Sequence, residues 1–246
     1  MDALSLPELA FFAFVIVISY AVRGSAGFGG VTVPLLAWVM SLKIVVPMVT
    51  FLGLLSSFVI LRKNIRHVRW PALWRIMPFC LAGVLIGLYF FKTLDASTLA
   101  RALGVFVIAY GLYSLWLTWK PATGFRAPMW LAAPAAGTTA GFVGTIFGSM
   151  AGMFFAIYLD LLKYEKAAFR ATVAAILFGL GLFRGAGYAA VGGYDRETLL
   201  ACLIAVPVML VGVWVGNHIH ANLNDTAFKR LVGAILISSG VPLLIR

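Results

Sequence analysis

Apolar residues fall into eight blocks, approximately 7–40, 44–61, 72–91, 99–119, 128–160, 167–191, 198–216 and 227–245, parted by short polar connections. A helix needs about 20 apolar residues to cross about 30 Å of hydrocarbon. Six blocks have the length of one crossing. The blocks 7–40 and 128–160 are too long for one, and glycines interrupt both. The pattern predicts that these two break inside the membrane, where the freed backbone groups must find protein or cavity water as partners. The most polar connection, Arg62-Lys63-Asn64-Ile65-Arg66-His67-Val68-Arg69, is expected to be cytoplasmic. No connection is long enough to hold a soluble domain.

Composition sharpens this reading. The chain is 63% hydrophobic and 11% charged, with a mean hydropathy of +1.02. Soluble domains carry roughly 25% charged residues to face water, so a soluble enzyme and intrinsic disorder are both excluded. The expected fold is an all-α polytopic membrane protein. The net charge of +11 resides in the connections rather than on a basic face with interleaved aromatics, so nucleic-acid binding is not expected. Cys80 and Cys202 lie inside apolar blocks and read as small buried hydrophobes. The stretch Met1 to Leu6 lacks a basic region, so no cleaved signal peptide is expected.

The chain repeats itself. A shift of 129 residues places Pro78, Gly83, Val84 and Gly87 on Pro207, Gly212, Val213 and Gly216. The same shift carries Leu94, Arg101, Gly104 and Ile108 onto Leu223, Arg230, Gly233 and Ile237, eight identities in 31 positions. The glycine-rich segments align at a smaller shift, near 121. We expect one membrane domain made of two homologous repeats, 1–121 and 122–246. Each would have about four membrane helices, the first broken or re-entrant. Duplication of this kind is common in secondary transporters. If each broken block returns to its own face or crosses twice, twelve Lys and Arg residues lie on the side of the 62–75 connection and six opposite; single crossings give ten and eight. The positive-inside rule then favours inverted repeats, with both termini outside.

Candidate chemistry gathers at the breaks. The first reads Arg23-Gly24-Ser25-Ala26-Gly27-Phe28-Gly29-Gly30-Val31-Thr32-Val33-Pro34. Glycines permit an unwound backbone that approaches a ligand closely. A helix starting near Val31 would turn its free N–H groups and positive dipole end toward an anion. Arg23 adds a full charge near membrane depth, where ionisable residues are costly and usually functional. The competing reading is a packing hinge with Arg23 snorkelling to an interface. Candidate substrate-binding residues here are Arg23, Gly24, Ser25, Gly27, Gly29, Gly30 and Thr32.

The stretch Gly24 to Leu36 resembles the glycine-rich motif followed by Pro-Leu that opens each half of the sulfite exporter TauE/SafE family. The similarity extends from about residue 8 to residue 245, including the duplication and the basic connection after the second block. It implies a cell-membrane transporter of small sulfur-containing anions, sulfite or organosulfonates such as sulfoacetate. The second half departs from that motif. It reads Gly137-Thr138-Thr139-Ala140-Gly141-Phe142-Val143-Gly144-Thr145-Ile146-Phe147-Gly148-Ser149-Met150-Ala151-Gly152, with no Pro-Leu after it. Either Thr145 and Ser149 serve an oxyanion, or the small residues simply pack a continuous helix. Arg184, in Phe183-Arg184-Gly185, is a further candidate, since a guanidinium forks onto two oxygens; an interfacial position is the alternative. Arg170 is a weaker candidate.

The leading reading is a secondary transporter for a small sulfur oxyanion or organosulfonate. The alternatives are a passive anion channel or a non-transporting membrane scaffold. An enzyme is not expected: the apolar blocks hold no paired carboxylates, no metal-ligand spacing and no nucleophile–base pair. Neither a cofactor nor a metal is implied. A proton is a candidate coupling ion, although no acid lies mid-helix, and Asp160 and Glu165 sit at a turn.

Overall fold

The computed structural model of the chain describes residues 5–26, 30–119, 129–148, 150–218 and 225–245. These residues form α1 (Leu6–Ala26), α2 (Thr32–Leu36), α3 (Leu42–Asn64), α4 (Trp70–Thr93), α5 (Ala96–Trp119), α6 (Met129–Phe147), α7 (Ala151–Leu161), α8 (Lys166–Ala190), α9 (Arg196–His218) and α10 (Asp225–Ile245). A 3₁₀ turn, Ile65–His67, joins α3 to α4. The fold is all-α. Helices α1, α3, α4, α5, α8 and α9 are each long and apolar enough to cross a membrane. Both overlong blocks divide, the first into α1 and α2 and the second into α6 and α7.

Local chemistry sets the helix ends. Glu8 accepts from the backbone N–H and the hydroxyl of Ser5, as in a capping box. Ser41 starts α3 by accepting from the Lys43 N–H. Asp95 accepts from the N–H groups of Ser97 and Thr98 at the start of α5, and Asp195 from that of Thr198 in α9. Hydrogen bonds from Ser97 and Thr98 hold the Asp95 carboxyl well below the usual carboxylate range.

Between helices, packing rests on missing side chains. Helix α4 lies along α6, α9 along α1, α3 along α8, and α5 along α10. A Cβ on Gly83 would sit 2.2 Å from the Thr138 carbonyl oxygen, and one on Gly212 would sit 2.7 Å from that of Val17. Such backbone approach is the usual basis of membrane-helix association, because lipid supplies no hydrophobic drive between helices. The two crossings correspond in sequence as well: Gly83 maps to Gly212 at a shift of 129, and Val17 to Thr138 at 121. In the α5–α10 pair Gly104 faces Gly240 and Gly111 faces Gly233, so those helices run antiparallel. The 129-residue shift carries Gly104 to Gly233 and Gly111 to Gly240, mapping this crossing onto itself.

Two hydrogen bonds fasten the short helices at their far ends. Beyond α2, the Trp38 indole N–H donates to the Ser239 carbonyl of α10 at 3.0 Å, while its ring stacks on Phe11. Near the end of α7, the Tyr158 hydroxyl donates to the Ala72 carbonyl of α4 at 3.3 Å. Large apolar side chains such as Leu85, Tyr89, Leu203 and Trp214 face outward, as a surface solvated by lipid tails requires.

Candidate anion site at the meeting of two helix breaks

The second break is sharp. Helix α6 stops at Phe147, and Gly148 (φ 71°) and Met150 (φ 70°) both adopt left-handed backbone before α7 begins at Ala151. Glycine takes that conformation freely. For Met150 it costs roughly 1–2 kcal/mol, and strain of this kind gathers at functional positions. Met150 offers α7 no side-chain cap, and the Met153 N–H turns back onto the Met150 carbonyl at 3.3 Å; the start of this 11-residue helix brings the positive end of its dipole to the break.

The first break meets the second. A Cβ on Gly30 would touch Met150 Cγ at 3.4 Å, and one on Gly148 would lie 3.2 Å from Val33 and from the Val46 Cα. Beside this junction is a cavity of about 30 Å³, room for one or two ordered waters as it stands. Arg23 of α1 reaches it, as do Val49, Thr50, Gly53 and Leu54 of α3. Gly148, Met150, Ala151 and Gly152 contribute from the second break, and Leu177, Gly181 and Arg184 from α8.

Two guanidinium groups therefore converge on one small space. Arg23 Nη2 donates to Ser57 Oγ at 2.9 Å and to the Gly53 carbonyl at 3.3 Å, and its guanidinium lies 5.9 Å from the centre of the Tyr20 ring. Arg184 is 5% exposed and donates from Nη2 to Thr50 Oγ1 at 2.7 Å. Its guanidinium lies 6.0 Å from the centre of the Tyr188 ring, whose hydroxyl donates to the Thr145 carbonyl. The Nε atoms of both arginines are buried without a hydrogen-bond partner among the described residues. A buried donor left in that condition costs about 1–3 kcal/mol, and more when charged.

Of the sequence-predicted residues, the structure brings Arg23 and Arg184 together and sets Gly30 against the second break. Arg184 is neither interfacial nor near the helix end; it sits six residues before the last residue of α8 and is buried. Thr145 goes elsewhere. Its hydroxyl donates to the Gly141 carbonyl at 2.6 Å, and its side chain packs where a Cβ on Gly87 would be. Thr32 is buried in the first turn of α2, outside the cavity lining, and Arg170 lies 14 residues before Arg184, about 21 Å along the axis. Gly27, Gly29 and Ser149 lie outside the described residues, as do the side-chain surroundings of Gly24 and Ser25. The small-residue stripe of the second half serves two purposes. Gly137 and Gly141 pack on α4, and Gly148 turns the chain. Thr50 and Gly53 line the cavity and Ser57 holds Arg23; the sequence did not single them out, and their signal was three small or polar positions within the apolar block 44–61.

Comparison with known proteins agrees with this architecture. The model of the sulfite exporter TauE/SafE family matches residues 11–243. A probable inner membrane transporter protein, TsaS of Comamonas testosteroni, is 30% identical over 186 residues, covering 73% of this chain and 74% of that protein. No solved structure matched the chain. On the family match, on the relative and on a bundle of membrane-length helices closed around a buried, arginine-lined cavity, the chain belongs to the sulfite exporter TauE/SafE family and is a multi-pass inner-membrane transporter.

Proposed function

We propose that this transporter moves a small sulfur-containing anion, sulfite or a compact organosulfonate, and binds it between Arg23, Arg184 and the N-terminus of α7. One observation carries the reading: a buried arginine, Arg184, and a half-buried one, Arg23, come from different helices to share one cavity, and each keeps a buried, unpartnered Nε. The three oxygens of sulfite or a sulfonate are enough to bridge the two guanidinium groups and to turn one toward the positive end of α7. The reciprocal glycine contacts and the antiparallel α5–α10 pair are the pattern that a two-fold axis lying across the helices generates. They support two inverted repeats, 1–121 and 122–246, with the site at their interface, the arrangement in which rocking of one repeat against the other exposes a central site to each face in turn.

The test is thermal stabilisation of purified protein by sulfite, sulfoacetate, sulfate, chloride and the zwitterion taurine. A ligand of the folded state at 100-fold its Kd adds about 2.7 kcal/mol of stability. Sulfite or sulfoacetate is expected to raise the melting temperature by several degrees and taurine to leave it unchanged. Arg23→Ala should abolish both the shift and transport in proteoliposomes. A full shift in the folded Arg23→Ala protein would remove the site.

A further inference from the structure

Among the described residues, the two arginines that share the cavity have no acidic neighbour in the bundle's interior. The chain has eight Asp and Glu residues; Asp2 lies outside the described residues, and each of the other seven lies in the first or last turn of a helix or between helices. Of its three histidines, His67 is in the 3₁₀ turn, His218 closes α9 and His220 follows it. The groups nearest the guanidinium ions are the hydroxyls of Thr50 and Ser57 and the rings of Tyr20 and Tyr188, all neutral at pH 7. Among the described residues, no side chain supplies the missing negative charge at the site, and none is placed to carry a proton into it as a carboxylic acid or an imidazole would.

Resting on the binding site just described, we infer that the protein is an anion exchanger in which the transported anion is the counter-charge of Arg23 and Arg184. With the anion bound, the charge in the cavity is largely cancelled and the site can turn from one face to the other. Emptied, it retains two positive charges, Arg184 buried and Arg23 half-buried, which a low-dielectric interior penalises. The empty protein therefore reorients slowly, and the fast way back is with a second anion aboard. The same logic makes the unloaded return, and not the loaded crossing, the step that senses membrane voltage, because it alone moves net positive charge through the field.

The experiment is counterflow with the full chain in proteoliposomes, the potential clamped by potassium and valinomycin. Vesicles hold either the unlabelled form of the transported anion or gluconate, which is too large for the cavity, and chloride is excluded. Labelled sulfite, sulfate and sulfoacetate are supplied outside in separate runs. Initial uptake into vesicles holding the same anion is expected to exceed uptake into gluconate vesicles by about tenfold or more, and only the gluconate arm should respond to voltage. Saturable uptake at equal rates in both vesicle types overturns exchange and leaves the binding site standing. Absence of saturable flux for all three anions overturns the transport reading, and exchange falls with it. Arg23→Gln removes one of the two charges but, unlike Ala or Met, keeps an N–H donor for the anion; the residual transport should show a higher KM and a ratio of the two rates nearer one. A folded Arg23→Gln protein that keeps the wild-type ratio overturns the counter-charge mechanism.

Discussion

The two helix breaks do the same job by different means. In the first, α1 carries its arginine on its own last turn, and the segment that follows, α2, has five residues. In the second, α6 has no charge, the backbone turns through two left-handed residues, and α7 runs for 11. At the shift of 121 that aligns the breaks, Arg23 corresponds to Gly144. A Cβ at Gly144 would meet the Ala151 Cβ at 3.0 Å and lie 3.6 Å from an Arg184 guanidinium nitrogen, so the space that a side chain there would claim is shared by the start of α7 and an arginine from α8. Similar sequence at the two breaks does not oblige the same chemistry. The second half supplies its positive charge from a different helix, and the glycine at the corresponding place makes room for it.

The largest effects that test this contrast involve the arginines. Replacing Arg184 with Met keeps comparable bulk and removes a charge that has no acidic partner in the apo protein. Transport is expected to fall by at least a hundredfold while the anion-free protein gains stability, on the order of 1–4 kcal/mol by analogy with buried ionic groups replaced by apolar ones. Arg23→Met should also stop transport, with a smaller gain, because Arg23 is only half-buried and has two protein acceptors. Equal stabilities of wild type and both variants, measured by chemical denaturation in anion-free buffer, would contradict this account of Arg184 as the more costly charge.

An intermediate effect separates the backbones of the breaks. Gly148→Ala places a Cβ on a left-handed residue, 3.2 Å from the Val46 Cα, and should cost about 1–3 kcal/mol. Gly30→Ala meets only the flexible Met150 side chain, at 3.4 Å, and should stay within about 0.5 kcal/mol of wild type. Comparable losses in both would show that the two turns are under equal constraint.

The smallest effect belongs to Asp95, remote from both breaks. Its carboxyl titrates lower in the folded protein than in the unfolded chain, so its stabilisation is complete above the unfolded value near 4 and is lost as pH falls through the folded one. Asp95→Ala should lower the melting temperature slightly at pH 7, lose that difference in strong acid and leave anion binding unchanged. A change in anion affinity in that variant would tie the α4–α5 turn to the site.

Much of this was legible in the sequence because the bilayer is a severe solvent. Eight apolar blocks, two of them overlong, can satisfy their backbone in few ways, and Arg23 beside four glycines is conspicuous in such a chain. Thr50 and Ser57 were not legible, since a hydroxyl in a membrane helix ordinarily bonds its own backbone, as Thr50 itself does to the Val46 carbonyl while still accepting from Arg184. Thr145 misled for the same reason: its spacing suited a ligand, but Gly141 already holds its proton. Arg184 reads from the sequence as a candidate, yet nothing in the spacing says that it lies against Gly144. That relation exists only once the fold brings the Arg184 side chain of α8 to Gly144 of α6.

The tethers at Trp38 and Tyr158 have a mechanical corollary. Each short helix begins near the place where Gly30 meets Met150 and is tied toward its far end to a helix outside its own hairpin, α2 to α10 through Trp38 and α7 to α4 through Tyr158. A lever fixed there can tilt only by shifting its inner end, so small displacements of α10 or α4 would be delivered to the place where Gly30 meets Met150. Cutting either mooring, with Trp38→Phe or Tyr158→Phe, would loosen the lever and leave the charges where they are.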